Sequence, residues 1–402
     1  TTSGSDTIVT FTAGTGTISF AGTSVGRPSS PSEGLMRENT TTGKMEFYDG
    51  SLWQEINDTA STYSSVLIPS ANFNTVTYTG AGVSGQSITS GLTADVVWIK
   101  KLNSGTSSDH QLFDTVRGPA TNLSILYPND SYAEDPGGVD YLANITSTGF
   151  TVGSSTYTGG SGNDYVSWNW KAGGAAVTNN VGSISSQVSA NTAAGFSIAT
   201  WSGDGSASNI GHGLGGIPQL WIIKNLAGTN SWVVGMPEVL GLGYLQLESN
   251  AAASASDIWG TIADSTKYYF NTAAGGNGYL STGNYVGYFW RSIPGYSKIG
   301  FYVGNGSTTG PEIYTGFKPA WLLRKNVTNS TDAHWSILDN KRNITTPMNP
   351  RFLRLLANLD NGENTSDLNH KCDFNSTGFQ PLSNHNVTNA LGETYIYMAF
   401  SE

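Results

Sequence analysis

The sequence predicts an all-β protein: a small N-terminal β-meander followed by three tandem, β-sandwich-like (lectin-like) repeat domains. Three observations carry that prediction. Apolar and polar residues alternate at period two in short runs, and helical periodicity over eleven or more residues is hard to find. Gly makes up 50 of the 402 residues and charged residues only 12%, so turns are frequent, and solubility rests on Ser, Thr and Asn instead of ion pairs. The third observation is a three-part pattern that is written three times.

Each copy opens on a strand ending at Gly: Phe73-Asn-Thr-Val-Thr-Tyr-Thr-Gly80, Phe196-Ser-Ile-Ala-Thr-Trp-Ser-Gly203 and Ile299-Gly-Phe-Tyr-Val-Gly304. Each continues with an apolar run closing on a cation, Val97-Trp-Ile-Lys100, Trp221-Ile-Ile-Lys224 and Trp321-Leu-Leu-Arg324, preceded by Gly91-Leu92, Gly213-Leu214 and Gly316-Phe317. Each ends on an aromatic strand, Tyr165 to Lys171, Tyr285 to Arg291 and Tyr395 to Ser401. The copies lie about 100 residues or more apart, beyond the periods of solenoids and propeller blades. They therefore read as tandem domains, each long enough for its own core: 61–175, 176–295 and 296–402, after an N-terminal piece over 1–60.

Within that piece, Thr7 to Phe20 reads as a short hairpin. A Pro/Ser linker then leads into Leu35 to Ile56, where Gly43 and Asp49-Gly50 supply the turns of a three-stranded meander. Such a sheet is too small to be stable alone, so its apolar residues Leu35, Met36, Met45, Phe47, Tyr48 and Trp53 are expected to pack on a neighbour or on other chains.

In the repeats, the Gly-x-Gly pairs Gly80-Ala-Gly82, Gly203-Asp-Gly205 and Gly304-Asn-Gly306 read as hairpin or bulge turns; no helix pattern follows them, as a phosphate cradle would need. The aromatic strands place Val166, Trp168 and Trp170, Val286, Tyr288 and Trp290, and Ile396, Met398 and Phe400 on one face, which predicts one face in a core. The apolar middle runs predict strands buried on both faces.

A net charge of −10 with scattered basic residues argues against nucleic-acid binding, which needs clustered cations. No run of about 18 apolar residues exists to span a membrane, and Thr1-Thr-Ser-Gly-Ser shows no charged leader with an apolar core, so a secretory signal is expected to be absent or already removed. A single cysteine, Cys372, rules out an internal disulfide framework. Asn-x-Ser/Thr triplets such as Asn122-Leu-Ser124 are what an Asn- and Ser-rich chain produces by chance.

No catalytic constellation stands out, so catalytic, cofactor-binding and metal residues are expected to be none. His370, Cys372 and Asp373 lack the second cluster a zinc site requires. Asp114-Thr-Val-Arg117 matches Asp339-Asn-Lys-Arg342 but has no counterpart at Met236-Pro-Glu-Val. This reads as a surface salt bridge pinning a turn, worth about 0–1 kcal/mol. The acidic stretch with Asp130, Glu134, Asp135 and Asp140 is read as a solvated turn, with a calcium loop or the carboxylate pair of a glycoside hydrolase as alternatives.

The segment Arg27-Pro-Ser-Ser-Pro-Ser-Glu-Gly-Leu-Met-Arg-Glu-Asn-Thr-Thr-Thr-Gly-Lys-Met-Glu-Phe-Tyr-Asp-Gly-Ser-Leu-Trp53 resembles a module widespread in structural and fibre proteins of tailed bacteriophages. Ile210-Gly-His-Gly-Leu-Gly-Gly-Ile-Pro218, Gly300 to Pro311, Tyr314 to Trp321 and Tyr395 to Glu402 resemble an uncharacterised repeat family of marine and cyanobacterial phages. The first repeat is the most divergent, lacking the Gly-His-Gly-Leu and the Pro. The resemblance implies a virion protein, assembled in the host cytoplasm and exposed on the outside of the particle: a tail fibre, head fibre or capsid decoration. The meander residues from Leu35 to Trp53 would then attach it to other virion proteins or to sister chains, with a homotrimer favoured. Polar loops such as Asn129 to Tyr141 and Asn361 to Asn369 would contact host-surface glycans. The alternatives are a glycan-degrading tailspike hydrolase and a bacterial surface adhesin or filament subunit.

Overall fold

The computed structural model describes residues 67–103, 107–118, 121–271, 283–342 and 349–402, together with five short strands nearer the N-terminus. Two compact units divide the chain, Thr1–Val66 and Leu67–Glu402. In the first, Thr2–Ser3 pairs with Asp6–Thr7. Met36–Asn39, Lys44–Tyr48 and Trp53–Glu55 form the expected antiparallel meander, with Met36 opposite Phe47 and Tyr48 opposite Trp53. The Tyr48 and Trp53 rings lie 5.6 Å apart, both half-buried. Leu35, and the expected hairpin beyond Thr7, lie outside the described residues.

The larger unit contains large sheets of four, seven and five strands, and one order of four strands recurs in all three. Module 1 supplies β1 (Phe73–Thr79), β2 (Val96–Lys101), β3 (Gln111–Asp114) and β4 (Asp164–Trp170). Module 2 supplies β5 (Phe196–Gly203), β6 (Leu220–Asn225), β7 (Val233–Gly235) and β8 (Gly283–Trp290). Module 3 supplies β9 (Ser297–Val303), β10 (Trp321–Asn326), β11 (Ser336–Asp339) and β12 (Thr394–Phe400). In each, the aromatic last strand inserts between the first and second, giving the antiparallel orders β1-β4-β2-β3, β5-β8-β6-β7 and β9-β12-β10-β11. Among the described residues helix is confined to Pro237–Leu240 and two 3-10 turns.

A smaller sheet covers one face of each. Gln86–Thr89, Gly149–Val152 and Leu142–Thr146 cover module 1, Ser208–Gly211 and Lys267–Phe270 module 2, and Ile313–Tyr314, Gly378–Pro381 and Cys372–Asn375 module 3. The resulting sandwiches enclose separate outer cores around Phe113 and Phe150, Trp221 and Trp259, and Leu322 and Phe379.

The opposite faces of the three large sheets meet in one further core. Trp168, Trp170, Val286, Tyr288, Trp290, Ile396, Met398 and Phe400 all belong to it, and rings meet across modules, Phe73 with Phe400 at 5.1 Å and Trp168 with Trp321 at 6.3 Å. The aromatic strands were expected to bury one face; they bury both, because Tyr165, Tyr285, Phe289, Tyr395 and Tyr397 fill the outer cores. The middle strands are buried on both faces as expected, in all three modules. The modules are thus joined by shared apolar burial, which stabilises by roughly 25 cal/mol per Å².

The glycine pattern has a direct backbone counterpart. Gly82, Gly205 and Gly306 take φ of +69°, +80° and +70°, and Gly91, Gly213 and Gly316 take +80°, +67° and +85°. These are left-handed conformations that L side chains adopt only at a cost.

The register corrects one alignment. Val166, Val286 and Ile396 sit opposite Lys100, Lys224 and Lys325 respectively, so Lys325, not Arg324, is the third equivalent lysine. Arg324 occupies the place of Ile99 and Ile223, on the other face of its strand. A one-residue shift in a strand exchanges its faces, and the paired Arg324-Lys325 made either residue fit the pattern.

Candidate functional site

The three lysines are fully buried, and each reaches across to a neighbouring module. Lys100 Nζ donates to Asp360 O at 2.8 Å, Lys224 Nζ to Ser131 O at 3.0 Å, and Lys325 Nζ to Asn250 O at 3.3 Å. Module 1 therefore docks on module 3, module 2 on module 1 and module 3 on module 2. Two further sets follow the same cycle. Leu226, Leu102 and Val327 accept from the backbone N–H of Glu134, Glu363 and Ala253, each at 2.9 Å. His110 Nε2, Trp232 Nε1 and Trp335 Nε1 meet Leu356 O, Tyr127 O and Gln246 O at 3.0, 2.9 and 2.9 Å. Burial lowers the lysine pKa values to about 8 for Lys100 and Lys224 and about 7 for Lys325.

The Asp–Arg pairs belong to this cycle rather than to the surface, which corrects their reading as exposed bridges. Arg117 Nε lies 2.5 Å from Asp114 Oδ2 and Arg342 Nε 2.7 Å from Asp339 Oδ2, with all four side chains at 1% exposure or less. Glu134 and Glu363 bind the other side of each guanidinium at 2.7 and 2.9 Å. Burial works against the guanidinium charge of Arg117 and Arg342, but the adjacent carboxylates more than offset it and raise both pKa values.

Each aspartate also accepts from the aromatic strand of another module. Tyr288 Oη donates to Asp114 Oδ2 at 2.6 Å, and Trp168 Nε1 to Asp339 Oδ2 at 3.1 Å. Tyr288, Trp168 and Met398 hold equivalent positions. Module 2 carries Met236 where the others carry aspartate, and Met398 stands where the others carry a donor, so both equivalents of the third bond are apolar members of the shared core. The missing pair in repeat two is thus matched by a missing donor in repeat three.

The two loops expected to meet glycans are structurally equivalent. His110 N donates to Asn129 Oδ1 at 2.7 Å and Trp335 N to Asn358 Oδ1 at 3.0 Å, and the loops follow from there. Asn129 to Tyr141 is largely engaged within the fold: Glu134 binds Arg117, and Asp135 accepts from Tyr127 Oη at 3.0 Å and Gly137 N at 2.8 Å. Asp130 accepts from Ser131 N, and Asp140 meets Ser154 Oγ at 3.4 Å. These carboxylates serve separate local bonds, and among the described residues no group of three His, Cys, Asp or Glu side chains could hold a metal ion.

Asn361 to Asn369, in contrast, forms a wall of a cleft of about 660 Å³, with Asp332, His334, Arg354, His370 and His385 also lining it. His370 is fixed from behind, its Nδ1 2.8 Å from Ser336 Oγ and its carbonyl accepting from Arg324 Nη2 at 2.7 Å. Its Nε2 lies 3.5 Å from Asp367 Oδ2, which also accepts from Arg354 Nη2 at 2.9 Å. Burial lowers the pKa of His370, with Arg354 and Arg324 adding to the effect, and burial likewise lowers that of His334. The row Ser336–His370–Asp367 has the membership of a hydrolytic triad, yet Ser336 is fully buried within the sandwich, where it orients the imidazole and meets no substrate. Cys372 is also buried, its thiol pushed up to about 12 by desolvation, which keeps it protonated and inert.

Sequence reasoning found the loop but missed Arg324, Arg354, His334 and His385. The one available signal was a cation inside a run that is purely apolar at that position in the sister repeats. A family model described as a domain of unknown function, DUF7483, matches residues 68–402. The chain belongs to the DUF7483 family. The matched span covers the three-module unit as a whole. Comparison with the curated proteins and with the solved structures returned no match.

Proposed function

We propose that this protein is a non-enzymatic structural component of a bacteriophage particle, a tail fibre, head fibre or capsid decoration, that holds the particle against host-surface glycans. The observation that supports this best is the division of labour among its polar groups. Buried lysines, arginines and indoles are spent on locking three modules into one body, and one polar loop is left to wall an open cleft. A rigid β scaffold carrying a polar loop suits contacts that are weak singly and multiplied by avidity. The resemblance of the N-terminal segment and of the repeats to phage proteins supports the location. In this reading the meander, with Met36, Met45, Phe47, Tyr48 and Trp53, attaches the protein to other virion proteins. The sequence favoured a trimer of chains; because one chain already repeats its fold three times, the larger unit needs no partner chain to close its core.

The test is to raise antibodies against the purified chain and label lysate particles by immunogold electron microscopy. Label on DNA-containing particles is the expected result, and label confined to cell surfaces would replace this reading with a cellular adhesin. Incubation with host polysaccharide should leave its chain length unchanged; shortened chains would promote the hydrolase alternative.

A further inference from the structure

Arg324 stands where the sister modules carry Ile99 and Ile223. It is 1% exposed, its Nε and Nη1 meet no hydrogen-bond acceptor, and among the described residues no carboxylate pairs with it. Tyr302 and Cys372 beside it remain protonated, their pKa values raised by burial, so neither supplies a countercharge. An uncompensated buried cation is costly, and this one lies directly behind the cleft, bonded through Nη2 to the carbonyl of His370. Nothing in the packing of the sister modules requires it.

We propose that the module 3 cleft binds an acidic saccharide, its carboxylate held at His370 and His385 in front of Arg324 and its hydroxyls held by Asn361, Asn369 and Asp332. The proposal rests on the glycan-contact reading and names the class of glycan. The carboxylate follows from the buried charge: Glu363 is neutralised by Arg342 and Asp367 by Arg354, and Asp332, the third carboxylate of the lining, is exposed to solvent, which leaves Arg324 as the unmatched buried charge behind the floor. The saccharide follows from size and lining. A volume of about 660 Å³ exceeds what an inorganic anion fills. The exposed amides and hydroxyls of Asn361, Thr365, Ser366 and Asn369 offer the mixed donors and acceptors that sugar hydroxyls require.

Isothermal titration of the full chain with galacturonate oligosaccharides, neutral glucose oligosaccharides of equal length, and inorganic sulfate provides the test. The uronate series should bind at least tenfold more tightly than the other two. Arg324→Ile, which installs the residue the sister modules carry, should keep the thermal midpoint and lose at least tenfold in uronate affinity. His385→Ala should lose a similar factor and serves if Arg324→Ile does not fold. Equal binding of neutral sugars, binding of sulfate alone, or uronate affinity unchanged in His385→Ala would overturn the proposal. Labelled chain that coats host cells while binding no uronate would defeat the cleft inference and leave the glycan-contact reading standing; failure to coat cells would defeat that reading itself.

Discussion

Tyr288 donates its phenolic hydrogen to Asp114 Oδ2 across 2.6 Å, so an aromatic side chain of module 2 completes the buried ion pair of module 1. Burial and the adjacent carboxylate hold the phenol protonated. Trp168 does the same for Asp339 of module 3. Cohesion between modules and stability within them are therefore carried by the same residues.

Tyr288→Phe removes one donor from a buried carboxylate that keeps Arg117 and the N–H groups of Val116 and Arg117. It should cost about 1–3 kcal/mol in urea unfolding. Arg117→Met, which strands Asp114 as an unpaired buried charge, should cost about 3–5 kcal/mol. Equal, near-zero costs would show that the network contributes nothing to holding the modules together.

The lysine cycle predicts a rise in stability with pH. Burial lowers the lysine pKa values from the ordinary 10.5 to about 8, 8 and 7 in the folded chain. Between those limits the unfolded chain binds more protons, so stability increases as pH rises from about 7. The buried Cys372 works in the opposite direction once pH passes its ordinary value of 9.0. The thermal midpoint should accordingly climb between pH 7 and 9, and Lys325→Met should flatten that climb. A midpoint that is flat or falls over this range in the unaltered protein would contradict the assignment.

Shared burial predicts cooperative unfolding. Calorimetry of the full chain should show residues 67–402 melting in one transition, since separating any module exposes a face of the common core. Three resolved transitions would mean that the outer cores alone sustain each module.

Gly304 is set by close approach: an added Cβ would lie 2.0 Å from the carbonyl oxygen of Ala390, whereas one at Gly118 meets nothing within 4 Å. Gly304→Ala should cost about 1–3 kcal/mol, and Gly118→Ala should be close to neutral in the same denaturation assay.

Much of this fold was legible in the residues themselves. Period-two alternation, the paired glycines and the threefold phrase from Tyr165, Tyr285 and Tyr395 determine an all-β chain with recurring strands, because side-chain direction along a strand and positive φ at glycine are local properties. The sequence also marked Asn361 to Asn369 as a polar loop. The shared core, the partners of Lys100, Lys224 and Lys325, and the isolation of Arg324 were decided by tertiary structure. A strand buried on both faces reads the same whether its second face meets its own sandwich or another module. The carbonyls that receive the lysines belong to the backbone, whose acceptors are identical at every residue, so only the folded chain selects which of them a side chain will find.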